Sequence, residues 1–228
     1  MTLTADDRLA AKMRRNALAV LPVPVVLGLA ALTLVGPPPL LPLLLGAAGW
    51  LLALVVRQPV ALIAARSTSP SRAATIVGWF SGPAEELVRL ALVLVALRSF
   101  EDAVWAGFGW ATIEVLLIVV NGFAIAGLMT KDDPKSVEAR ELLAAQGMLG
   151  AQHPVWGVLE RVSATALHTG FTLLLLAQPW LVLVTLPAHS VVNMLMAQFA
   201  KAHLAWAEGA FAVVAAIALA AGVLLAAG

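Results

Sequence analysis

An all-α, polytopic membrane protein is the fold class this sequence predicts, and three observations carry the prediction. The 228 residues are 61% hydrophobic and 12% charged, where a soluble domain carries roughly 25% charged residues. Mean hydropathy is +0.95. Apolar stretches recur from end to end, each long enough to cross about 30 Å of hydrocarbon, which takes about 20 helical residues.

Those stretches predict about seven transmembrane helices, at residues 17–35, 40–56, 73–97, 102–128, 155–177, 180–199 and 204–226. Arg8, Lys12, Arg14 and Arg15 precede the first stretch as they would a signal peptide. Its apolar core is too long for that and no small-residue cleavage motif follows, so it counts as a helix. Gly36-Pro37-Pro38-Pro39 forces a tight turn after it, because three prolines cannot continue a helix. Residues 57–72 read as an inner loop whose apolar middle, 60–65, lies along the membrane surface. The longest connection, 129–154, reads as a cytoplasmic loop. Asp133-Pro134 within it signals the start of a short amphipathic helix over 135–143. No internal repeat or linker divides the chain. It reads as one integral-membrane domain over 1–228, with 1–16 as a cytoplasmic N-terminal segment.

Lysine and arginine set the expected orientation. With the N-terminus inside, the inner segments hold Arg8, Lys12, Arg14, Arg15, Arg57, Arg66, Arg72, Lys131, Lys135, Arg140 and Lys201. The outer segments hold Arg98 alone, which matches the positive-inside rule and leaves the C-terminus outside. Composition also excludes chemistry. With no cysteine there are no disulfides, thiolate nucleophiles or cysteine metal ligands. No basic patch interleaved with aromatics is present, so nucleic acid is not an expected partner. The lipid bilayer is.

Against this apolar background, ionisable residues stand out. Glu85 and Glu86 lie in the third span with Arg89 one turn on, where the guanidinium can reach both. A carboxylate at a helix centre costs about 2.5–3.5 kcal/mol on insertion scales, so it faces protein or a water pocket. Glu114, His168 and His189 fall near the middles of the next three spans. Arg161, Thr165, His168 and Thr172 share one helical face, as do Thr185, His189 and Asn193. These stripes predict a polar pocket between helices three to six. Pro83 and Pro187 each lie two residues before a site residue and free the carbonyls of Trp79 and Leu183. Glu160 and Arg161, near a helix end, read as an interfacial ion pair.

Peptide hydrolysis needs an activated water and donors for a tetrahedral oxyanion. Two adjacent carboxylates resist double ionisation, so one of the pair can keep and pass on a proton. His189 and Asn193, one turn apart, can supply the oxyanion donors, and His168 can orient water or protonate the leaving amine. His168, His189 and a glutamate also form a donor set for zinc, although no His-Glu-x-x-His motif occurs. The expectation is a site without metal or other cofactor. The rival reading for the same residues is a proton- or ion-coupled transporter, and a third is a non-catalytic scaffold.

In order along residues 75–200 stand Glu85-Glu86-x-x-Arg89, Gly107-x-Gly109 with Glu114, Glu160-Arg161 with His168, and His189-x-x-x-Asn193. This order resembles the YhfC family of bacterial intramembrane proteases, related to PrsW and to the CAAX-processing proteases. The resemblance implies a glutamic-type intramembrane endopeptidase in a bacterial cytoplasmic membrane, acting on a peptide or membrane-protein substrate. It implies a catalytic set of Glu85, Glu86, Arg89, Glu114, His168, His189 and Asn193, with Glu85 or Glu86 activating water. The chain departs from the pattern at Trp110, where YhfC-like sequences often have histidine. That departure is the ground for the pseudoprotease alternative.

Overall fold

The computed structural model describes residues 4–145 and 152–228. It is all-helical, with no strand among those residues. In chain order the helices are α1 (Ala5–Val20), α2 (Pro22–Val35), α3 (Leu40–Ser67), α4 (Pro70–Ala96), α5 (Phe100–Leu128), α6 (Pro134–Ala145), α7 (Pro154–Ala177), α8 (Val182–Met194) and α9 (Ala200–Ala226).

Among the described residues, four stretches are long and apolar enough to cross a membrane: α1 with α2, α3, α5, and Pro179–Ala226. This is fewer than the seven expected from the sequence. The last stretch holds 48 residues, within which the sequence reading separates two spans. It bends through a π-helical turn at Leu195–Phe199 and through His203, whose φ of −139° and ψ of 56° are non-helical. α4 and α7 are 27 and 24 residues long but carry buried charges, Glu85, Glu86 and Arg89 on one and Arg161 on the other. The side chains that build the site thus keep these two helices from standing out as apolar spans.

Local chemistry explains most helix ends. Thr4 and Asp7 form a reciprocal capping box at the start of α1, satisfying donors that a helix N-terminus leaves open. Ser99 caps α5 by accepting from the Asp102 amide. Gly36, with φ of 103°, adopts a backbone that L side chains avoid and turns the chain out of α2. Asp133 accepts from the amide and hydroxyl of Ser136 at the start of α6, as its position before Pro134 predicts. Arg140 then ties α6 to the Met129 carbonyl and to Asp6. Residues 146–151 of the expected cytoplasmic loop lie outside the described residues.

The inner loop expected at 57–72 is a correction. α3 continues through Pro59 to Ser67, and two residues separate it from α4. Proline removes one amide donor, but the apolar residues that follow sustain the helix. Thr68 then ends it by bonding the Ala64 carbonyl through both its amide and its hydroxyl.

The bundle packs through small residues. A Cβ at Gly107 of α5 would meet the backbone of His168 and Thr169 on α7 at 2.6–3.0 Å. A Cβ at Gly82 of α4 would run into Leu186 and Ser190 of α8. Close backbone approach of this kind is how helices associate where lipid offers no hydrophobic drive. It also brings the polar faces of α4, α5, α7 and α8 together. Apolar clusters close the structure on either side, one around Val93, Ala103 and Leu173, another around Leu167, Phe171, Phe211 and Ala215.

Candidate functional site

All seven residues of the expected site converge. Glu85, Glu114, His168, His189 and Asn193 line a cavity of about 430 Å³, while Glu86 and Arg89 stand behind its wall with 0% exposure. The two adjacent glutamates therefore do different things. Successive helical residues point about 100° apart, so one reaches the cavity and the other the interior of the bundle.

Behind the wall, Glu86 Oε1 accepts from Arg89 Nε at 3.1 Å and from His189 Nδ1 at 2.7 Å. Glu86 Oε2 is buried without a hydrogen bond among the described residues. Arg89 is the hub. It also donates to the His168 carbonyl at 3.2 Å, to Thr172 Oγ1 at 3.0 Å and to His168 Nδ1 at 2.9 Å. Its guanidinium carbon lies 4.1 Å from the centre of the Trp110 ring, well within cation–π range. Of the two glutamates within its reach, the guanidinium thus turns away from the cavity toward Glu86, where α7 offers it three more acceptors.

His168 is fixed from both sides. A guanidinium can only donate, so Nδ1 of His168 is an acceptor and the ring proton sits on Nε2. That Nε2–H donates to Glu114 Oε2 at 2.9 Å. Glu114 Oε1 in turn accepts from Arg161 at 2.9 Å, and Arg161 donates to Glu160 at 2.6 Å. Arg161 is buried and crosses from α7 to α5, so it is part of the site and not only half of an interfacial pair. The role expected for His168, orienting water or protonating the leaving amine, does not fit a ring whose two nitrogens are both engaged.

His189 is the histidine with a nitrogen to spare. Its Nδ1 is held by Glu86, and its Nε2 faces Glu85 Oε2 at 3.5 Å. A carboxylate holding one imidazole nitrogen fixes the ring and leaves the other free for proton transfer. Glu85 Oε2 also accepts from Trp110 Nε1 at 3.3 Å. Trp110 therefore has a defined place in the site. Glu85 Oε1 takes no hydrogen bond among the described residues and lies 3.7 Å from Arg57 NH1.

Asn193 donates to Ser81 Oγ at 2.6 Å, which donates to the Gly78 carbonyl. One of its two N–H groups is thereby used, and the other has no partner among the described residues. The carbonyl of Trp79, freed by Pro83, accepts from Ser190 of α8 at 2.7 Å. The proline bend is thus stabilised by the helix it faces. Leu183, whose carbonyl Pro187 frees, is an outward-facing residue.

Three site residues escaped the sequence reading. Arg57 and Trp50 bring α3 to the cavity, and Phe211 brings α9, so more than four helices line it. Arg57 interrupts an apolar stretch, and that interruption is what ended the second predicted span at residue 56. Glu208, also on α9, does not line the cavity but is a buried carboxyl whose Oε2 has no hydrogen bond among the described residues.

Zinc can be weighed on this geometry. Glu85, His168 and His189 each present a donor atom within 4.8 Å of the others. The Arg89–His168 bond leaves the proton on His168 Nε2, the nitrogen engaged by Glu114, so His168 has no lone pair to give a metal. The donor set does not fit zinc while Arg89 is in place.

Fold and site together define a helical bundle with a buried network of carboxylates, imidazoles and guanidiniums around one cavity. Comparison with models of known families, with characterised proteins and with solved structures gives no match to this chain.

Proposed function

We propose that the chain is an intramembrane peptidase of the glutamic type, akin to the YhfC-like proteases its motifs resemble. In this reading it crosses a bacterial cytoplasmic membrane seven times, N-terminus inside and C-terminus outside. One observation carries it: Glu85 presents to the cavity an oxygen free of hydrogen bonds, while Glu86, Arg89 and Trp110 hold its surroundings fixed. Glu85 Oε1 takes a proton from water as the water attacks the scissile carbonyl. Asn193 donates to the oxyanion; His189, expected from the sequence as a second donor, gives its Nδ1–H to Glu86 and instead passes the proton from Glu85 through Nε2 to the leaving amine. Glu114 and Arg161 keep His168 in its tautomer, and His168 anchors Arg89.

Proton-coupled transport is the competing reading, and the chain of contacts from Glu85 through His189, Glu86, Arg89, His168, Glu114 and Arg161 to Glu160 is its ground. Two links in that chain are guanidiniums, which do not deprotonate in proteins and so cannot relay a proton. The network supports holding groups still better than passing protons along.

The test is turnover of a quenched-fluorescent library of apolar peptides by the detergent-purified protein and its Glu85→Gln variant, both checked for folding. Cleavage by the wild type alone supports the proposal. Equal signals from both, with proton-driven uptake in proteoliposomes, favour transport.

A further inference from the structure

We infer that Arg57 is a further catalytic residue, one that follows the negative charge from Glu85 to the oxyanion during hydrolysis. The inference rests on the peptidase reading above. Arg57 lies on α3, outside the motifs that suggested the site, yet it lines the same cavity. Its side chain is 20% exposed and its nearest charged partner is Glu85 Oε1 at 3.7 Å, beyond hydrogen-bond reach. Arg89 and Arg161 are committed to their carboxylates and, for Arg89, to His168 and Thr172. Among the described residues, Arg57 is the guanidinium at this site with no hydrogen bond.

Charge decides what those free donors are for. With His168 and His189 each carrying a single ring proton, the carboxylates of Glu85, Glu86, Glu114 and Glu160 around the cavity face the guanidiniums of Arg57, Arg89 and Arg161, an excess of one carboxylate. Glu208 can only add to that excess. A substrate bearing its own anion would enlarge it, so the group that meets Arg57 is neutral on arrival. A peptide carbonyl is such a group, and it becomes negative only as the reaction proceeds.

The charge moves as follows. Water gives a proton to Glu85 Oε1 while its oxygen bonds to the carbonyl carbon, and the C=O π pair moves to the carbonyl oxygen. Glu85 is then neutral and the oxyanion carries its charge, a few ångströms from the same guanidinium. Arg57 exchanges one partner for the other with no net charge created in the cavity. Collapse restores C=O, breaks C–N and sends the proton through His189 to the amine, leaving one acid and one amine. A donor that is loose in the resting state and engaged in the transition state lowers the barrier instead of tightening substrate binding.

The experiment compares wild type, Arg57→Gln, Arg57→Lys and Glu85→Gln on one peptide cleaved from the library, and on its phosphinate analogue, which binds with a protonated Glu85 and so mimics the tetrahedral intermediate. Thermal stability is followed for each. Arg57→Gln is expected to lose about 10²–10³ in kcat with KM little changed, as for loss of one oxyanion donor. It should also weaken phosphinate binding far more than binding of the parent peptide. Arg57→Lys, which keeps the charge, should recover part of both. Wild-type kcat in folded Arg57→Gln, or equal weakening of peptide and phosphinate, overturns the inference while Glu85→Gln remains inactive. If Glu85→Gln cleaves as well as wild type, the peptidase reading itself falls and this inference with it.

Discussion

Arg89 grips His168 at two points, donating to its ring Nδ1 at 2.9 Å and to its backbone carbonyl at 3.2 Å. The side chain and main chain of one histidine are thereby locked to a cation 79 positions earlier in the chain. The tautomer that results carries its proton toward Glu114.

That tautomer predicts the response to metal. Protein washed with chelator should keep its full peptidase activity, and added zinc should not bind stoichiometrically. Elemental analysis beside turnover checks this. In Arg89→Met combined with Glu86→Gln, which leaves no unpaired buried charge, the Nδ1 constraint is gone and zinc affinity should rise. Stoichiometric zinc in the wild type, with activity lost on its removal, would show that His168 is a ligand after all.

Arg89 also neutralises Glu86 in a wholly buried pair. Arg89→Ala leaves a carboxylate in low dielectric, and breaking a buried pair from one side costs about 3–5 kcal/mol. The expected outcome is a large drop in folded yield and in thermal stability. Arg89→Ala combined with Glu86→Gln should recover much of the loss. Size-exclusion profiles and unfolding midpoints of the single and double variants give the answer, and an Arg89→Ala protein as stable as wild type would refute the pairing.

Ser190 and Asn193 lie three residues apart on α8 and should separate cleanly. Ser190→Ala takes the donor from the Trp79 carbonyl, at a stability cost of about 1 kcal/mol, and should leave kcat near wild type. Asn193→Ala should keep the fold while losing about 10²–10³ in kcat, as for an oxyanion donor. The two variants exchanging these phenotypes would mean that Asn193 serves packing.

Much of the site was legible because burying charge in an apolar helix is so costly that each instance points to a partner. That logic found Glu85, Glu86, Arg89, Glu114, His168 and His189 on four helices and predicted that they would meet. The missing amide of Pro83 was equally legible, and the Trp79 carbonyl it frees is bonded to Ser190. Pairing was less legible. Helical spacing allowed Arg89 to reach either glutamate, and the choice of Glu86 depended on His168 and Thr172, which come from another part of the chain. Arg57 was misplaced because hydropathy treats a charge as the end of a span, so a charge that faces a cavity reads as a loop. Arg161 was taken for an interfacial residue for a similar reason, since its partner Glu114 lies 47 positions away.

The central claim is that Glu85 activates water to cut a peptide bond. The most direct measurement is a comparison of protein termini in membranes from cells carrying the wild-type chain or Glu85→Gln at equal folded levels. With Glu85 as the base, a set of new termini within membrane proteins is present with wild type and absent with Glu85→Gln, while the uncut parents accumulate. Identical termini in the two membranes would contradict it.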